Sequence, residues 1–167
     1  MVESKLMYGL SSLWLSKPER RKLDGFQNRC LRRILSVKPS FLSRVPNAAV
    51  LHQAAQPKLS SRLLRQQLVL FGKVASQPAH SQLRSCCLFG DSLQPLPEHY
   101  VRRVGRPRLT WTREALNAAV AVAGGSSALE KMFSGGAPIP TAQRLAMVDA
   151  YLGLALGWLV CPLKTPK

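Results

Sequence analysis

Ser16-Lys17-Pro18-Glu19-Arg20-Arg21-Lys22-Leu23-Asp24-Gly25-Phe26-Gln27-Asn28-Arg29-Cys30-Leu31-Arg32-Arg33-Ile34-Leu35 is the stretch whose reading decides the fold class. Ser16 and Glu19 stand at capping-box spacing, where each side chain can satisfy the other residue's backbone N–H. Pro18 is tolerated in a first helical turn because no internal hydrogen bond is lost there. These signals predict a helix over residues 17–36. Leu23, Phe26, Cys30, Leu31 and Ile34 recur at helical spacing on one face. Arg21, Lys22, Arg29, Arg32 and Arg33 take the opposite face. The prediction is a helix that packs with one side and presents a cationic ridge with the other.

Working outward, residues 58–76 repeat the design. Leu59, Leu63, Leu64, Leu68, Leu70, Phe71 and Val74 form a broad apolar face, with Arg62, Arg65 and Lys73 opposite. Between the two, Pro39 to Pro46 reads as a connector, and Asn47 is expected to cap a helix over 48–55 that Pro57 terminates. The apolar start (Leu6, Met7, Tyr8, Leu10, Leu13, Trp14, Leu15) reads as the end of something larger, with a strand expected near 6–15. Pro78, Pro95, Pro97 and Pro107 predict a long irregular loop over 77–109. Thr110 is expected to cap a helix over 111–123 stopped by Gly124-Gly125. Ser127-Ala128-Leu129-Glu130 reads as a second capping box opening a short helix that Gly135-Gly136 ends, and Thr141 as the start of a last helix over 142–160. The expected fold class is mainly α, a small helical bundle with a long irregular central loop. Its parts are a remnant of an upstream region at 1–16, a basic helical domain at 17–76, a Pro-rich basic loop at 77–109 and C-terminal helices at 110–167.

The charge narrows the function classes. The chain of 167 residues carries 24 Lys/Arg against 8 Asp/Glu, a formal +16. Such a balance points to polyanions, either nucleic acid or anionic lipid surfaces. Residues 1–57 and 58–115 each hold ten Lys/Arg against three Asp/Glu, whereas 116–167 hold four against two, so the first two thirds carry the signal. The apolar stretch Ala150 to Leu163 is fourteen residues long. A membrane span needs about 20, so a buried helix is preferred and a membrane partner is disfavoured. Cys30, Cys86, Cys87 and Cys161 lack CxxC spacing and read as free thiols in a reducing compartment. No basic start followed by a long apolar core is visible, so a nuclear or cytoplasmic location is expected over secretion.

Two segments are candidate binding sites for the phosphate backbone of RNA or DNA. In Arg102-Arg103-Val104-Gly105-Arg106-Pro107-Arg108, glycine and proline hold the backbone extended, and Arg102, Arg103, Arg106 and Arg108 can enter a narrow minor groove or grip phosphates. Gly105-Arg106-Pro107 also resembles an AT-hook core, with Val104 where an arginine is expected. The plainer alternative is a solvated basic loop. The second candidate is the ridge of Arg29, Arg32 and Arg33, whose plainer alternative is a solvated helix face. Phe26, Phe71, Trp14 and Trp111 offer faces for base stacking, but their helical or cap-adjacent positions favour core packing. His52, His80 and His99 are dispersed. His80 with Cys86 and Cys87 lacks a fourth ligand, so neither metal nor any other cofactor is implied.

Several of these blocks resemble the region that follows the thumb in non-LTR, LINE-type retrotransposon reverse transcriptases. Leu6-Met7-Tyr8-Gly9-Leu10 with Leu13-Trp14-Leu15 is similar to that family's "LLYG…LW" stretch. Leu23 to Leu35 is similar to "LDxFQxRCLRRIL". Arg44 to Leu51 is a third block, Leu64 to Ala75 resembles "LRRRLLxFGHIAR", and Gly105 to Trp111 resembles "GRPRxTW". Order and spacing match over about residues 5–115. Pro46 replaces the family's Ser or Thr, Ala49 its glutamate, and Lys73 its histidine. Reverse transcription needs paired aspartates that hold two metal ions. Here Asp24, Asp91 and Asp149 stand far apart, so the resemblance implies a non-catalytic fragment whose parent palm would lie upstream of Met1. The expected function is sequence-independent nucleic-acid binding. The alternatives are a degenerate reading frame without selected activity, or a basic membrane-associated protein with an apolar C-terminal helix.

Overall fold

The carboxylate of Glu19 turns back to accept from the Ser16 backbone N–H at 2.7 Å and from its hydroxyl at 2.6 Å, closing a capping box at the start of α2 (Lys17–Ile34). Pro18 sits in the first turn. The computed structural model describes residues 2–96, 110–134 and 146. Around α2 lie α1 (Val2–Met7), a 3-10 turn (Leu10–Ser12), α3 (Ser40–Ser43), α4 (Asn47–Gln53), α5 (Leu59–Ala75), α6 (Gln82–Ser85), α7 (Trp111–Ala123) and α8 (Ser126–Ser134). The fold is mainly α, and among the described residues the extended pairing is one isolated antiparallel bridge between Leu88 and Pro95. The described residues form two compact units, 2–67 and 68–96 with 110–134, whose boundary falls inside α5.

In the first unit Met7, Leu23, Leu59 and Leu63 form the core, with Leu6, Leu10 and Leu15 packed against it. The strand expected near 6–15 does not form. Gly9, at φ 74°, reverses the chain after α1 and starts the 3-10 turn. Adjacent Leu6 and Met7 then reach the same core, which an alternating strand, pointing successive side chains to opposite faces, would not allow. α4 packs on α2 and buries Val50 and Leu51.

Two polar residues of α2 hold the start of α5. The Ser60 N–H donates to Asp24 Oδ1 at 2.9 Å, and its hydroxyl to Asp24 Oδ2 at 2.7 Å. Gln27 donates through Nε2 to the Pro57 carbonyl at 2.8 Å and accepts at Oε1 from the Leu59 N–H at 2.9 Å. The first N–H groups of a helix have no partner within it, so these two side chains supply acceptors from outside. A carboxylate there also meets the positive end of the helix dipole. Farther along α5, Gln67 is fully buried and donates to the Leu13 carbonyl.

In the second unit Phe71, Val74, Leu88 and Leu93 are buried. α7 and α8 pack together, and Ala115, Ala119 and Leu129 are buried on them. Thr110 stands at the N-cap of α7, and Gly124 ends it at φ 82°, donating to the Val120 carbonyl. A left-handed C-terminal position suits glycine because no Cβ opposes it. α8 begins at Ser126, so Ser127 lies inside the helix and is not its cap. The described part of the central loop, 77–96, holds α6 and a chain reversal. There the Phe89 N–H donates to the Gln94 carbonyl at 2.9 Å and the Leu96 N–H to the Cys87 carbonyl at 3.2 Å. The rest of that loop, the Gly135-Gly136 stop and nearly all of the helix expected over 142–160 lie outside the described residues.

Candidate nucleic-acid interface

The cations of α2 divide into two kinds. Lys22, Arg29 and Arg33 fall at i, i+7 and i+11, one stripe of the helix, and all three are exposed. None of the three side chains has a hydrogen-bond or ion-pair partner among the described residues. Arg21 is also exposed, at the edge of the same face.

Arg32 is a correction to the predicted ridge. It is 7% exposed, and its guanidinium is spent on the connector that follows α2. Nη1 donates to the Lys38 carbonyl at 3.0 Å and more weakly to Ser43 Oγ at 3.4 Å. Nη2 donates to the Val45 carbonyl at 2.6 Å and to Asn47 Oδ1 at 2.9 Å, and Nε reaches the same Oδ1 at 3.3 Å. A guanidinium has five N–H donors in a fixed fork, and the loop curls so that each finds a neutral oxygen. A buried polar group left unpaired would be costly, and this arrangement leaves no Arg32 donor idle. Asn47 was expected to cap α4. Instead Pro46 stands at the N-cap with no side-chain bond, and Asn47 opens the helix with its side chain turned to Arg32.

Arg20, which the sequence did not single out, and Arg62 of the second predicted ridge are also drawn into the fold. Arg20 stacks over the Trp14 ring at 4.5 Å and donates to the Leu15 carbonyl at 3.1 Å. Stacking of this kind keeps Trp14 occupied within the first unit. Arg62 is half-buried and donates to Gln56 Oε1 at 3.0 Å, while Lys73 is exposed. Arg102, Arg103, Arg106 and Arg108 lie outside the described residues.

Of the five residues of the apolar face predicted for α2, only Leu23 is buried in the core. Phe26 is 37% exposed and Ile34 76% exposed. With Cys30, Leu31 and Leu35 they line an open groove of about 770 Å³ in the first unit, closed on its other side by residues that include Leu6 and Ala54. Arg33 stands at its rim. Of the aromatics expected to pack, Phe71 does so, at 2% exposed, and Phe26 is the one that reaches solvent beside the cation stripe.

Sequence reasoning missed Arg84, which is 6% exposed and donates only to backbone carbonyls. Its acceptors are Ala75, Gln77 at 3.2 Å, Gly90 at 2.9 Å, Asp91 at 2.9 Å and Ser92 at 3.1 Å. Ala75 is the last residue of α5, so the cation sits at the negative end of that helix. No local pattern distinguishes this arginine from a surface one, because its acceptors exist only once the chain reverses.

Cys30, Cys86 and Cys87 are free thiols. Burial, and secondarily the neighbouring Cys86, pushes the Cys87 thiol above its ordinary range, so it resists forming the reactive thiolate. Among the described residues no three His, Cys, Asp or Glu side chains gather as a metal site, and no helix is long and apolar enough to cross a membrane. No family model, curated protein or solved structure matches the chain.

Proposed function

We propose that this chain is a non-catalytic, sequence-independent nucleic-acid-binding segment derived from the post-thumb region of a non-LTR retrotransposon reverse transcriptase. The observation that carries the binding half is the stripe of Lys22, Arg29 and Arg33, exposed and unpaired among the described residues of a chain with formal charge +16. The origin rests on the ordered motif blocks. Asp24 and Gln27 of the strongest block brace the start of α5. A motif that builds a structural joint explains its own residue choice without any catalytic role.

Binding of this kind works by neutralising phosphates and releasing their counterions, so affinity falls steeply with salt. Each phosphate contact removed lowers the slope of log affinity against log salt by about 1. The test measures binding of the full chain to a duplex and to a single strand across a salt series. Arg29→Ala/Arg33→Ala is expected to weaken both and to flatten the slope by about 2. The quadruple variant of Arg102, Arg103, Arg106 and Arg108 to alanine is expected to lose still more, on sequence grounds alone. Binding that is absent, or indifferent to salt, overturns the reading.

A further inference from the structure

We propose that the α2 stripe takes single-stranded nucleic acid in particular, with one unstacked base seated against Phe26 in the adjoining apolar groove. This deepens the function proposed above and rests on it. Lys22, Phe26, Arg29 and Arg33 fall at i, i+4, i+7 and i+11, so Phe26, expected on the face opposite the cations, instead borders their stripe and an exposed ring interrupts the run. Behind Phe26 the groove opens to about 770 Å³, walled by Cys30, Ile34, Leu35 and Leu6, with Arg33 at its mouth. That volume falls in the range of about 300–1,000 Å³ typical of pockets for small ligands.

The combination selects its occupant. An apolar peptide would fill the groove but gain nothing from three exposed cations. A duplex would satisfy the cations but hides its base faces inside its own stack, so the groove would stay empty. A single strand offers both a charged backbone and flat apolar rings, and stacking on an aromatic side chain tolerates any base. Ile34, at 76% exposed, adds apolar surface to the same groove.

The experiment compares the full chain with Phe26→Leu and Phe26→Trp, using a single strand of about twelve nucleotides and the same sequence as a duplex. Leucine keeps apolar volume and removes the stacking face, and circular dichroism checks that the helices persist. Phe26→Leu is expected to weaken single-strand binding about tenfold while changing duplex binding less than about twofold, with Phe26→Trp restoring the single-strand affinity. Alkylation of Cys30, read by peptide mass spectrometry, is expected to slow when single strand is bound and to continue at its free rate with duplex. Equal effects of Phe26→Leu on both ligands, or on neither, would overturn the base seat, as would unchanged Cys30 alkylation. If Arg29→Ala/Arg33→Ala still weakens both ligands in that case, phosphate binding survives and only the base seat falls. If that variant also has no effect, both readings fall together. Binding to phosphatidylserine vesicles in preference to either nucleic acid would likewise overturn both.

Discussion

Arg32 in the first unit and Arg84 in the second each bury a guanidinium among neutral oxygens, yet they gather those oxygens differently. Arg32 draws on two backbone carbonyls and on the side chains of Ser43 and Asn47, spread six to fifteen residues downstream. Arg84 uses backbone carbonyls alone, all within nine residues of itself. The first loop is therefore written jointly by several side chains. In the second, one arginine gathers main-chain acceptors of a loop that backbone hydrogen bonds also close. In both places an apparently available cation is structural, which is why charge counting along a helix overstates the binding surface.

The comparison can be broken by substitution. The largest stability loss is expected for Arg84→Ala, about 3–4 kcal/mol, because main-chain carbonyls cannot be replaced and stranded buried acceptors cost about 1–3 kcal/mol each. Urea denaturation with an unchanged m-value would check it. Arg32→Ala is expected to lose about 2–3 kcal/mol, since Ser43 and Asn47 can turn to water. Arg32→Lys should recover little, because an ammonium lacks the planar fork. Near-wild-type stability for Arg32→Ala would mean that the connector is not held by the guanidinium. Asn47→Ala sharpens the contrast with a loss of about 1 kcal/mol, one hydrogen-bond acceptor's share. The smallest effect is expected at Arg29→Ala and Arg33→Ala, each within about 0.5 kcal/mol of wild type, as for exposed surface positions. A large loss there would show these two arginines to be internal like Arg32, and would remove the basis for the proposed interface.

Much of the helical frame was legible because its signals are local. The Ser16 and Glu19 capping box, Thr110 before α7 and Gly124 after it act within one turn, and the leucine spacing of α5 needs no knowledge of the rest of the chain. The site was legible only in part. Arg32 and Arg33 are adjacent and fall on the same predicted face, and only the folding of residues 38–47 over the helix separates them. Asp24 and Gln27 look like ordinary polar residues until α5 is placed beside them. Phe26 sits at core spacing, but the far side of its groove comes from residues distant in sequence, and they leave it open. Asn47 carried a good cap signal that a stronger hydrogen-bond demand from Arg32 overrode.

The neutrality of the two arginine cages has a practical corollary. Short-range bonds to uncharged oxygens inside the protein are shielded from dissolved ions, whereas exposed cations facing solvent are not. A molar-strength sodium chloride wash should therefore strip adhering polynucleotide from the recovered protein while leaving both loops knit, so that preparations free of co-purified material can be made without passing through a denaturant.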